Sequence, residues 1–216
     1  VDTTDEWIKT RTGMFERHVS DDDKACSDYA TMAAEQALQS ADLSARDLDM
    51  IIVGTVTADY AFPSTACIVM RNLGIRNIPA FDVSAGCPGW IYTTNIAKQY
   101  VENGIYQNVL VIGADMLTKI TNYKDRNTCI LFGDGAGAAL FEPNNEGLGL
   151  QDEFLRSDGI GRDFLRIEAG GSIMPPTLDT VKEGKHFVHQ EGKTVFKYAV
   201  SNMADVSEKM LTRNNL

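Results

Sequence analysis

The sequence predicts an α/β fold layered around a mainly parallel sheet. Short apolar runs of strand length recur along it, segments of helical periodicity follow them, and glycines close several of those segments. Taken in order, residues 28–41 (DYATMAAEQALQSA) form an amphipathic helix, with Ser27 placed as its N-cap. Residues 50–56 (MIIVGTV) form a buried strand. Residues 64–74 (STACIVMRNLG) form a helix that Gly74 ends. A strand at 78–83 (IPAFDV) leads to a helix at 89–104 (GWIYTTNIAKQYVENG), and a further strand occupies 108–115 (NVLVIGAD). Residues 129–143 (CILFGDGAGAALFEP) read as a glycine-interrupted strand region. Beyond Pro143 the chain becomes polar and glycine-rich. A strand, a long loop and one amphipathic helix at 193–216 are expected there, too thin to enclose a core of their own.

The totals narrow the function. A chain of 216 residues is long enough for a sizeable core, and its 44% apolar and 23% charged residues are ordinary for a globular protein. A net charge of −10 argues against a nucleic-acid partner, because phosphate contacts need a basic surface. No run approaches the ~20 apolar residues of a membrane span, and the first residues lack the apolar core of a signal peptide. The four cysteines, Cys26, Cys67, Cys87 and Cys129, stand far apart with no CxxC pair, so neither a metal site nor a disulfide framework is expected. Separated thiols suit a reducing cytoplasm.

One cysteine stands apart from the others. In FDVSAGCPGW, Cys87 falls where a strand ends and a helix begins, among small residues. A helix N-terminus presents unpaired N–H groups and the positive end of the dipole, which favour a thiolate. Ala85, Gly86 and Gly89 let the backbone turn sharply and a substrate approach. The placement follows the logic of a nucleophile elbow without the G-x-S-x-G pattern. The competing reading is a small buried core residue, which is what most free cysteines are and what Cys26, Cys67 and Cys129 are expected to be. Pro88 lacks an N–H, so an oxyanion hole here would use the Cys87 N–H and a donor from elsewhere. The glycine-rich FGDGAGAA stretch (132–139) lacks the lysine of a phosphate loop; it reads as a strand whose small residues allow close backbone packing.

Five segments in order, VDTTDEWIKTRTG, FPSTAC, AFDVSAGCPGW, DRNTCILFGDGAGAA and VFKYAV, resemble the β-ketoacyl-acyl-carrier-protein synthase III family. The resemblance implies a thiolase-like fold, an α-β-α-β-α sandwich of two similar halves, here incomplete at both ends, with residues 1–146 in the N-terminal half and 147–216 beginning the C-terminal half. It implies an enzyme that initiates type II fatty-acid synthesis: Cys87 takes an acyl group from acyl-CoA, then condenses it with malonyl-acyl carrier protein. Coenzyme A enters as a substrate thioester, no cofactor is tightly bound, and a homodimer is expected. Trp7 and Arg126 match positions that hold the adenine of coenzyme A, with Arg11 and Thr3 beside them. Phe62 resembles the residue each subunit lends to its partner's acyl pocket, Phe132 and Phe196 resemble pocket or tunnel walls, and Lys197 resembles a carrier-protein contact that Lys193, four residues before it on the helix, would extend. The plainer readings of these residues are an anchoring aromatic, surface charges and core packing.

The family's catalytic histidine and asparagine have no match. His18, His186 and His189 are the histidines of this sequence, and His189-Gln190 continues as Glu191-Gly192 and lies before VFKYAV, where the family's H-Q-A-N motif lies after it. His186 and His189 are therefore expected in loops. The chain reads as an internal portion of a longer enzyme, and residues 1–216 alone are expected to be inactive in condensation. Two other readings compete: a thiolase-fold condensing enzyme of secondary metabolism, and a non-catalytic partner subunit, which would usually lose the cysteine. A cysteine protease fits poorly, because the papain-like signature is absent.

Overall fold

The computed structural model describes residues 1–216, whose contacts group into two compact units. One comprises residues 19–116 and 134–155 and contains a four-stranded sheet with helices on both faces. Its strands are β1 (Met50–Gly54), β2 (Ala80–Val83), β3 (Val109–Met116) and β4 (Asp134–Phe141), in the order β2-β1-β3-β4. The first three run parallel and β4 returns antiparallel to β3, pairing Gly113 with Gly137. The expected mainly parallel sheet is present.

β1 and the first half of β3 are apolar and buried because both faces of the sheet are covered there. Side chains alternate between two cores: Ile51, Val53, Leu110 and Ile112 join α2 (Cys26–Ser40) and α3 (Thr65–Asn72), while Met50, Ile52, Val109 and Val111 join α4 (Gly89–Glu102). Ser64 caps α3, its hydroxyl accepting the Cys67 N–H. Gly74 and Gly104, past the ends of α3 and α4, adopt positive φ. The expected Ser27 cap of α2 is not formed. The helix begins at Cys26, and the Asp28 carboxylate accepts the Ala25 N–H at 2.8 Å, while Ser27 directs its hydroxyl to Asp59.

The other unit comprises residues 1–18, 117–133 and 156–216. It contains α1 (Asp5–Thr12), the short α5 (Arg126–Cys129), a two-stranded antiparallel ladder of β5 (Leu165–Ile167) with β6 (Val188–Gln190), α6 (Leu178–Lys182) and α7 (Gly192–Arg213). Past residue 143 there are thus two short strands and an extra helix, where one strand and a long loop were expected. Strands of three residues are too short to show a period. His189 accordingly lies in β6 and not in a loop, whereas His186 stays in the preceding turn with its ring 4.0 Å from that of Phe187. None of the residues of α7 is buried, in keeping with the expectation that this region holds no core of its own.

Candidate active site at the turn before α4

β2 delivers the chain to the carboxyl edge of the parallel strands, where ligands of open α/β sheets bind. Ser84 and Ala85 follow it, Gly86 takes φ +65°, and the Gly89 N–H donates to the Gly86 carbonyl at 2.8 Å. Cys87 and Pro88 form the tip of this turn, and α4 begins immediately at Gly89. Cys87 is exposed, so it is not the buried core residue of the competing reading. Its N–H makes no hydrogen bond within the chain. Cys26, in contrast, is buried, and burial pushes its thiol up to about 11 despite a hydrogen bond with Thr55. Cys67 and Cys129 are half-buried.

Two glycines let α4 start against the sheet. A Cβ on Gly54 would stand 3.1 Å from the Gly89 carbonyl carbon and 3.3 Å from Thr93 Cγ2. One on Gly113 would stand 3.2 Å from Trp90 Cε3. Gly54 ends β1 and its register partner Gly113 lies within β3, so together they open a seat for the first turn of α4. The sequence reading missed both, although each directly follows an apolar run, MIIV before Gly54 and VLVI before Gly113. The glycine-rich stretch does form a strand, β4, but not the close packing expected of it: Gly135 and Gly137 face open space, and only Gly133, just before the strand, is closely packed, 3.3 Å from Arg17 Cβ and the His18 carbonyl.

Trp7 and Arg126 meet in the unit of α1 and α5, with the guanidinium carbon 4.2 Å from the centre of the indole. Thr4 caps α1 by accepting the Trp7 N–H, and Asp125 caps α5 by accepting the Asn127 N–H, so each side chain sits within the first turn of a capped helix. Arg126 Nε and Thr3 Oγ1 are buried without hydrogen-bond partners, as is Arg17 Nη1. Arg11 is exposed in the last turn of α1. Phe62 is 85% exposed on the connection between β1 and α3, Phe132 is half-buried, and Phe196 is 69% exposed on α7. Lys193 and Lys197 are exposed on α7. No helix is long and apolar enough to cross a membrane.

A sequence model described as 3-oxoacyl-[acyl-carrier-protein (ACP)] synthase III matches residues 81–159, which include the Cys87 turn. The beta-ketoacyl-[acyl-carrier-protein] synthase III of Caldanaerobacter subterraneus subsp. tengcongensis is 54% identical over 216 residues, covering 100% of this chain and 65% of that protein. The crystal structure of the Thermus thermophilus beta-ketoacyl-[acyl carrier protein] synthase III superposes with a TM-score of 0.88 at 39% identity, covering 100% of this chain and 66% of that one. A priming beta-ketosynthase of a polyketide biosynthetic pathway superposes at 0.80 with 29% identity, covering 95% of this chain and 60% of that one. The fold is therefore that of the thiolase-like condensing enzymes. Within them, the chain is similar along its whole length to proteins of the 3-oxoacyl-[acyl-carrier-protein] synthase III family. It spans about 65% of the length of the curated relatives it matches.

Proposed function

We propose that the protein is the condensing acyltransferase that starts type II fatty-acid synthesis, with Cys87 as its nucleophile. The exposed thiol on a glycine-permitted turn at the carboxyl edge of the sheet carries this reading. The Cys87 thiolate attacks the carbonyl of an acyl-CoA, and the resulting oxyanion accepts a hydrogen bond from the unpaired Cys87 N–H. Collapse expels the coenzyme A thiolate and leaves an acyl thioester on Sγ. Malonyl-acyl carrier protein then loses CO2, and its enolate carbon displaces Sγ from the acyl group. That second stage needs donors to the enolate; we assign them to the family's histidine and asparagine, in the part of the relatives this chain does not span. Residues 1–216 alone would therefore accept an acyl group and fail to condense it. Acetyl-CoA incubation followed by mass spectrometry tests the first stage. An acetyl adduct that disappears in Cys87→Ala supports it, and an adduct that persists in that variant rejects the assignment.

The remaining site residues follow the same reading. The Trp7 face and the Arg126 guanidinium take the adenine of coenzyme A, Arg11 pairs with a phosphate, and the unpaired Thr3 hydroxyl lies in the same unit. Phe62, Phe132 and Phe196 border the acyl chain, Phe62 from the partner subunit of a homodimer; its exposure fits a residue that projects from its own subunit. Lys193 and Lys197 begin the patch that meets an acidic carrier protein, against an overall charge of −10. Residues 1–146 make the N-terminal half of the thiolase-like fold and 147–216 the start of the other, in line with the end of β4 at Phe141 and the separate sheet that follows. We place the enzyme in the cytoplasm. The 54% identity to a synthase III, against 29% to the polyketide enzyme, favours primary over secondary metabolism.

A further inference from the structure

The connection from β1 to α3 is an arm whose two sides are fixed and whose tip is bare. At its root, Asp115 Oδ1 on β3 accepts from Thr55 Oγ1 at 3.1 Å, the Val56 N–H at 2.8 Å and Thr57 Oγ1 at 2.9 Å. Farther out, Asp59 receives both donors of Ser27 in the first turn of α2, the N–H at 2.9 Å and the hydroxyl at 2.6 Å. On the far side, Asp82 of β2 receives the first two N–H groups of α3, from Thr65 at 2.6 Å and Ala66 at 2.8 Å. Residues 60–63 between these anchors make no hydrogen bonds, and Tyr60 and Phe62 are 64% and 85% exposed.

An apolar tip that bare would wander unless its flanks were held. Here each flank is held by a carboxylate using both oxygens, which fixes direction as well as distance. Asp82 also lies on the strand that leads directly into the Cys87 turn, so one side chain links the placement of the arm to that of the nucleophile. We propose that Asp59 and Asp82 are positioning residues that hold Phe62 at the end of the acyl pocket of the partner subunit and thereby set the length of acyl group accepted there. This rests on the reading that Phe62 borders that pocket.

The test is the ratio of kcat/KM for acetyl-CoA to that for hexanoyl-CoA, measured in protein spanning the full length of the relatives, with Tm recorded in parallel. Asp59→Ala and Asp82→Ala are expected to change the ratio by about tenfold, the scale on which a pocket discriminates small apolar increments. Asp59→Asn should restore it, because an amide can accept the Ser27 N–H and donate to the Ser27 hydroxyl. Asp82→Asn should not, since its NH2 would face a helix N–H. Phe62→Ala serves as the benchmark. If it shifts the ratio while both aspartate-to-alanine variants stay within twofold of wild type, the positioning role is overturned even where Tm falls. If Phe62→Ala leaves the ratio unchanged, the pocket reading beneath it fails instead. Should an alanine variant not fold, Ser27→Ala removes only the hydroxyl bond; a smaller shift in the same direction supports the role, and an unchanged ratio overturns it.

Discussion

Gly54→Ala puts the seat of the proposed nucleophile to a direct test. The new methyl would lie 3.1 Å from the Gly89 carbonyl carbon, 3.2 Å from its oxygen and 3.3 Å from Thr93 Cγ2. Carbon contacts are comfortable at ~3.5–4.0 Å, so about half an ångström must be found. Two of the three obstacles are backbone in the first turn of α4, which cannot rotate aside, so the helix start moves and takes the Cys87 turn with it. Overpacking of this kind costs about 1–3 kcal/mol. For a chain of this size that is a fall in Tm of roughly 2–12 °C. A misplacement of ~1 Å costs about a hundredfold in rate, so half of it should slow acylation of Cys87 about tenfold. The assay is the rate of acetyl adduct formation by mass spectrometry, with Tm from differential scanning calorimetry. Gly137→Ala in β4, where an added Cβ meets nothing within 4 Å, is the control and should stay within about 0.5 kcal/mol. A Gly54→Ala protein with wild-type Tm and acylation rate would refute the claim that close backbone approach positions the nucleophile.

Further measurements bear on the rest. Arg126→Ala should weaken coenzyme A binding about 2–30-fold in a calorimetric titration, the range of a partly desolvated cation–π contact. In the wild type, a bound adenine between the two groups needs roughly twice a ~3.5 Å contact, so the guanidinium, now 4.2 Å from the indole, should stand farther away in a crystal structure with coenzyme A. Cys26 should make stability fall on the alkaline side: burial favours its neutral thiol, so its contribution is complete below the ordinary value of 9.0 and is lost as pH rises through about 11. That amounts to up to about 3 kcal/mol, and Cys26→Ala should flatten urea-derived stability across this window. Reversing Lys193 and Lys197 to glutamate should raise KM for malonyl-acyl carrier protein with a strong dependence on salt, while acylation by acetyl-CoA is unchanged.

What was legible in the sequence is what depends on neighbours along the chain. The Cys87 turn announced itself through small residues between an apolar run and a helical period, and the ends of α3 and α4 through Gly74 and Gly104. The features that were missed depend on residues far apart. Ser27 has the right chemistry for an N-cap, yet its hydroxyl is taken by Asp59, and nothing local distinguishes the two uses. Gly54 and Gly113 matter because α4 crosses them, which no window of the sequence contains. The glycines of β4 looked like close-packing residues by composition, and the spatial order of the strands instead leaves Gly135 and Gly137 open. The pairing of Trp7 with Arg126 had no pattern to reveal it; the family resemblance indicated a shared role, and the geometry brings the two side chains together.

The same distinction shows where this fold keeps its tolerances tight. Within the sheet-containing unit, the strands fill both faces with interchangeable aliphatic side chains, so many substitutions of similar volume would preserve the layers. The carboxyl edge allows no such exchange. There Gly54 and Gly113 must lack side chains, Gly86 must adopt a positive φ, Asp115 must accept three hydrogen bonds from the arm that carries Phe62, and Asp82 must accept two from the start of the helix that follows it. A layered core sets the position of that edge to within a side chain. The glycines and carboxylates then refine it to a fraction of an ångström, the scale on which attack at a carbonyl depends. Under the proposed function, the residues that decide chemistry are therefore those whose contacts are specific, and most of them would never touch the acyl group themselves.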